Sequence, residues 1–253
     1  MSDAIIEKVS ARRIWDSRGR PTVEVEITTA CEAVGRAAAP AGASTGTGEA
    51  IDLRDGGSAL GGYGVRAALQ NVVEKIAPAI IGLNASDQGL IDLTMQKLDG
   101  TQTCGLLGGN AMIATSMAAA HAAARALRQP LWEYFSSGCA PVIPVPEIQI
   151  FGGGAHAHGA IDLQDFMIVP FGASSFNEAM EWTAEIYLAA GALMRARGAL
   201  SGVADEGGYW PVFKSNEHAI ETLARAVDSA GFCTATQVGI SLLVNFSIPG
   251  VTN

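Results

Sequence analysis

An α+β domain followed by a β/α domain is the fold the sequence predicts, and three observations predict it. Thr22-Val23-Glu24-Val25-Glu26-Ile27-Thr28 alternates polar and apolar residues with period two, the mark of a half-buried strand, inside a strand-rich opening. From Val65 onward the apolar residues instead recur at helical spacing. After Pro141, Pro144 and Pro146, strands alternate with helices, an order that suggests a parallel β/α arrangement. The expected domains are residues 1–138 and 139–253.

Each element follows from local signals. Ile5 to Trp15 has strand-like patches, Asp16-Ser17-Arg18-Gly19-Arg20-Pro21 is a turn cluster, and Ala33 to Ala39 is a third strand closed by Pro40, completing a β-meander. Val65, Leu69, Val72, Val73, Ile76 and Ile80 fall mostly on one face of a helix over 65–81. A second helix runs from about Ser86 to Leu98, stopped by Asp99-Gly100. An Ala-rich helix over 111–127 is announced by Asn110 as its N-cap, and its small residues allow close packing. Beyond the prolines, strands are expected at Glu147 to Phe151, Gln164 to Pro170 and Val238 to Val244. Helices are expected at about Ser175 to Arg197 and Asn216 to Ala230, flanking a loop from Ser201 to Pro211.

Composition excludes several classes. The 253-residue chain carries a net charge of −9, which repels phosphodiester backbones and argues against nucleic acid as a partner. Charged residues are 16% and apolar residues 49%, as in a globular protein. Cys31, Cys104, Cys139 and Cys233 form no C-x-x-C pair, so four reduced, mostly buried thiols are expected. Met1 to Ser10 lacks an apolar stretch, and the Ala-rich helix carries His121 and Arg125. No signal peptide, no membrane partner and a cytoplasmic location are therefore expected.

Two familiar motifs fail on physical grounds. Gly152 to Ala157 fits a loose G-x-G-x-x-A, but a strand follows it rather than a helix N-terminus that would hold a phosphate. The loop around Ser44 lacks the Gly-Lys-Ser/Thr of a P-loop.

Four colinear motifs remain. Ile14 to Val25 includes Asp16-Ser17-Arg18-Gly19-Arg20-Pro21. Gly42-Ala43-Ser44-Thr45-Gly46 precedes Glu49-Ala50 and Leu53-Arg54-Asp55-Gly56. Gly153-Gly154-Ala155-His156-Ala157 precedes Gln164-Asp165-Phe166-Met167-Ile168-Val169-Pro170, and Asp205-Glu206-Gly207-Gly208 comes last. Together, in this order, they resemble the enolase family from about Ile5 to Leu242. The resemblance implies a small α+β N-terminal cap domain followed by an α/β, TIM-type barrel with an unusual antiparallel start. It also implies the magnesium-dependent, reversible dehydration of 2-phosphoglycerate to phosphoenolpyruvate in glycolysis, with a small phosphorylated carboxylate as substrate.

Site residues follow from that resemblance, each beside a plainer reading. Glu206 matches the glutamate that helps the C3 hydroxyl depart, which requires a carboxyl pKa raised by burial or by a neighbouring carboxylate; alone, Asp205-Glu206-Gly207-Gly208 reads as an acidic turn. Asp165 matches a family glutamate acting on the same leaving group, but its carboxylate sits roughly 1.5 Å further back. Misplacement by about an ångström can lower a rate on the order of 100-fold. His156 matches the histidine of the loop that closes over substrate, or is a solvated loop residue. His156 and His158 would face one side of an extended segment, but no third metal ligand is evident nearby. Gln164 matches a pocket-lining glutamine, or caps a strand end. Ser44 matches a serine binding the second magnesium, or satisfies turn backbone.

Other positions depart from the family. Arg20 stands where asparagine is usual, and Gly152 also differs. After Val238-Gly239-Ile240-Ser241-Leu242, Leu243 occupies the place of the first magnesium-ligating aspartate, and an aliphatic side chain cannot ligate a hard cation. A barrel of this type takes about 250 residues, more than twice the length of chain beyond Ala140. The barrel is therefore expected to be incomplete, with the later metal ligands and the proton-abstracting lysine absent. The chain is expected to be truncated and inactive by itself. A non-catalytic enolase-like binding protein and a divergent acid-sugar dehydratase needing a second chain are the alternatives, and a homo-oligomer or a complementing chain is the expected assembly.

Overall fold

The structure, a computed structural model, describes residues 4–42, 48–136, 138–153, 161, 163–203 and 207–243. The chain divides into two compact units, Met1–Pro141 and Val142–Asn253.

In the first unit, β1 (Ile6–Trp15), β2 (Pro21–Thr29) and β3 (Val34–Ala39) form an antiparallel meander in chain order. Val23, Val25 and Ile27 of β2 are fully buried, as the alternation predicts. Glu24 and Glu26 face the other way and pair with Arg12 and Arg36. The turn after β1 is tied by Asp16, whose Oδ1 accepts from the backbone N–H of Arg18 at 2.9 Å and of Arg20 at 2.8 Å. Gly19 at φ 70° supplies the left-handed residue that the turn needs.

The helix expected over 65–81 is a continuous run of α1 (Arg66–Asn71), a π-helical turn (Val72–Ile76) and α2 (Ala77–Ile80). Val65, Val72, Ile76 and Ile80 are buried, whereas Val73 is exposed. α3 (Gln88–Asp99) starts at Asp87, which caps Leu90 N–H, and ends at Gly100 with φ 67°. The Ala-rich helix α4 (Gly109–Ala126) lies on β2 and β3. Its approach is so close that a Cβ on Gly35 would stand 2.1 Å from the Ala118 carbonyl oxygen. A short helix that the sequence did not signal, α5 (Leu131–Ser136), follows.

The second unit holds a five-stranded sheet in the order β6-β7-β4-β5-β8. Its strands are β4 (Ile148–Gly152), β5 (Asp165–Val169), β6 (Leu200–Val203), β7 (Tyr209–Pro211) and β8 (Gly239–Leu243). α6 (Phe176–Ala196) is capped by Ser175, whose Oγ accepts from Glu178 N–H, and α7 (Asn216–Ser229) is capped by Ser215 in the same way. Ile150, Phe151, Phe166 and Ile168 of the sheet share a core with apolar residues of both helices.

Four expectations are corrected. β5 runs antiparallel to both β4 and β8, so strand–helix alternation did not mean parallel pairing here; β4 and β7 are the parallel neighbours. The antiparallel start that the family resemblance implies is what forms. The loop expected over 201–211 includes a hairpin of β6 and β7. Asn110 lies inside α4, not at its cap. Its Oδ1 accepts from Leu53 N at 3.3 Å and its Nδ2 donates to Leu53 O at 3.1 Å, so the amide ties an extended segment to the helix. Cys31, Cys139 and Cys233 are exposed and Cys104 is half-buried, because the first three sit in connections outside the helices and strands that carry the apolar faces.

Candidate active site

Chemistry-bearing residues of the second unit gather where β4 ends, β5 begins and β8 ends. Asp165 is the first residue of β5, paired on one side with Gly152 and on the other with Leu243. It is 5% exposed. Its Oδ1 accepts a hydrogen bond from the Gln149 Nε2 of β4. The β4–β5 register shifts between Gln149 and Phe151, leaving Gln149 opposite Met167 and Asp165 opposite Gly152, and the long Gln149 side chain spans that offset. Gln164, half-buried, is fixed through its backbone. Its N–H donates to Leu243 O at 3.0 Å, and its carbonyl accepts from Gly153 N–H at 2.6 Å. Gly153 must be glycine, since a Cβ there would lie 2.0 Å from Leu163 O.

Gln149 also reaches the Asp205-Glu206-Gly207-Gly208 segment. Its Oε1 accepts from Gly208 N–H at 3.0 Å. On the other side, Tyr187 of α6 donates its hydroxyl to Gly207 O at 2.9 Å. Burial first, and then the adjacent Tyr209, push the Tyr187 phenol upward, so it stays protonated and able to donate. Tyr187 stacks on Tyr209 with ring centroids 4.2 Å apart, and Tyr209 packs against Gly191, where a Cβ would lie 2.3 Å from the Tyr209 hydroxyl oxygen. Gly207 has φ 94°, which explains the first glycine of the pair.

Of the five site residues that the sequence singled out, Asp165 and Gln164 are neighbours at this place. Ser44, His156 and Glu206 lie outside the described residues, as do His158 and Asp205. Sequence reading missed Gln149, Tyr187 and Tyr209. A polar glutamine inside the apolar run Ile148–Phe151 was the available signal for the first. The tyrosines gave none, because their roles depend on the packing of α6 against the β6–β7 hairpin.

In the first unit, the described residues of the motifs serve the fold. Asp55 accepts from Arg66 N–H at 3.0 Å and Ala67 N–H at 2.9 Å, capping α1. Arg54 pairs with Asp52 and donates to Tyr63 O at 2.9 Å and to Pro21 O at 2.5 Å. Arg20, at the usual asparagine position, lies 4.4 Å from the centre of the Tyr63 ring. Arg18 donates to Ala41 O at 3.1 Å, fixing the chain just ahead of the Ser44 segment.

Hard divalent cations need several oxygen ligands. Among the described residues no three His, Cys, Asp or Glu side chains come together. The strand end beside Asp165 carries the aliphatic Leu243, 44% exposed. The described residues therefore do not fit a magnesium site.

Two domains of this architecture, a β-meander with packed helices and an α/β sheet with an antiparallel start, define an enolase-type protein. The family model "Enolase, N-terminal domain" matches residues 6–135, and "Enolase, C-terminal TIM barrel domain" matches residues 140–247. The chain belongs to the enolase family. No helix among the described residues is long and apolar enough to cross a membrane.

Proposed function

We propose that this chain carries the leaving-group side of an enolase-type lyase site, directed at the reversible dehydration of 2-phosphoglycerate to phosphoenolpyruvate in the cytoplasm. In this reading Asp165 and Glu206 act on the departing hydroxyl and its proton, and Gln164 and His156 line the substrate pocket. One observation carries it: buried Asp165 and the turn that follows Glu206 are joined through the single side chain of Gln149. Acid/base work on a hydroxyl calls for two carboxyl groups with different roles, and in this reading Asp165 and Glu206 are that pair. Glycolytic magnesium chemistry is the family's, but Leu243 supplies no oxygen at the strand end. By itself the chain binds substrate and does not turn it over.

Titrating the isotopically labelled chain with 2-phosphoglycerate tests the placement. The amide signals of Gln149, Asp165 and Gly208 should shift together, and 3-phosphoglycerate should move them less. Shifts confined to other residues, or none at all, would show that substrate recognition does not reside here.

A further inference from the structure

We infer that Gln149 is the positioning residue of this site, and that its length is matched to that of Asp165. The inference rests on the reading above for what the two carboxylates do, but its geometry stands separately.

The orientation of the Gln149 amide is chemically fixed. A carboxylate only accepts and a backbone N–H only donates. Nε2 must therefore face Asp165 Oδ1, and Oε1 must face Gly208 N–H, as they do. Turned over, the same amide would set two acceptors and two donors against each other. Each bond thus fixes the other: Asp165 selects the amide orientation that Gly208 needs.

Space is closed on both sides. A Cβ on Gly208 would stand 2.3 Å from Gln149 Oε1, 2.8 Å from its Cδ and 2.9 Å from its Cγ. Gly208 lacks the positive φ of Gly207, so its backbone suits any residue. The atoms nearest to such a Cβ all belong to Gln149, so any larger residue at 208 must push that side chain aside. Asp165 is 5% exposed and already in contact with Nε2, so one more methylene at 165 would have to push the Gln149 amide back. The aspartate, one methylene shorter than the family's glutamate, is met by a glutamine long enough to reach it from β4. The backbone at Gly208 is thereby tied to the side-chain length at 165.

Amide hydrogen exchange at Gly208 in the full chain tests this. Asp165→Glu alone, which overfills the contact, and Gln149→Asn alone, which falls short of it, should each speed Gly208 exchange by about tenfold or more, the loss of one hydrogen bond of roughly 1.4 kcal/mol. The double variant Gln149→Asn/Asp165→Glu should exchange no faster than Gln149→Asn alone, because an amide that already falls short of Gly208 can no longer be displaced from it by the side chain at 165. Gly208→Ala gives the reciprocal readout: it should displace Gln149 and speed exchange of the Gln149 side-chain amide while core amides at Ile150 and Ile168 stay protected. Additive losses in the double variant, or an undisturbed Gln149 amide in Gly208→Ala, would overturn the inference. If these results hold while 2-phosphoglycerate moves none of the same signals, the positioning stands and the assigned function falls.

Discussion

Asp99 closes α3 and its carboxylate organises the turn that leads into α4. One oxygen accepts from Thr101 N–H at 3.0 Å and from the Thr101 hydroxyl; the other accepts from Leu106 N–H at 3.0 Å and Leu107 N–H at 2.6 Å. Asp99→Ala strands the N–H of buried Leu107, which costs about 1–3 kcal/mol, while the N–H groups of exposed Thr101 and Leu106 can hydrate at about 0.5 kcal/mol each. The expected loss is about 2–4 kcal/mol, or roughly 6–14 °C in Tm for a unit of this size. Native-state hydrogen exchange at the α4 amides of Ala118 and Ala122 reads it directly. Burial raises the Asp99 pKa, but the donors from Thr101, Leu107 and Leu106 more than offset this and hold it below the ordinary range. For a carboxyl depressed on folding, the stabilisation is fully present above the unfolded value, about 3.9, and is lost as pH falls through the folded value. The gap between parent and Asp99→Ala should therefore be widest above about pH 4 and narrow below it. A loss under about 0.5 kcal/mol, or one unchanged in acid, would refute the reasoning.

Three further perturbations probe the frame. Gly35→Ala drives a Cβ to within 2.1 Å of Ala118 O and 2.2 Å of Ala122 N, so α4 must lift from the sheet; a loss of about 1–3 kcal/mol or more in denaturant unfolding is expected. Ser175→Ala removes the α6 cap and should lower stability by about 1 kcal/mol, read as a lower denaturant midpoint with an unchanged slope. Tyr187→Phe deletes the bond to Gly207 O, and should speed amide exchange in the turn at 207–208 severalfold while leaving Ile168 protected.

Much of this fold was legible because it is written in short-range patterns. The alternation of β2 and the Asp99-Gly100 stop act within a few residues of themselves, and β2, α3, α6 and α7 formed within a residue or two of their expected bounds. Strand direction was not legible from alternation, since the connection from Gly152 to Asp165 holds no crossover helix among the described residues. Asn110 misled for a related reason: its residue type suits a cap, but its partner Leu53 lies 57 positions away. The site divides in the same way. Asp165 and Gln164 were found by motif, whereas Gln149, Tyr187 and Tyr209 owe their roles to partners 16 to 59 residues distant. Leu243 was suspect from sequence, and its pairing with Asp165 gives that suspicion a position.

Phosphoenolpyruvate formation by the purified chain, followed by absorbance with 2-phosphoglycerate and magnesium, tests the central claim most directly. The account predicts no turnover above buffer, because residue 243, beside Asp165, offers the cation no oxygen. Magnesium-dependent turnover that Asp165→Asn abolishes would contradict it.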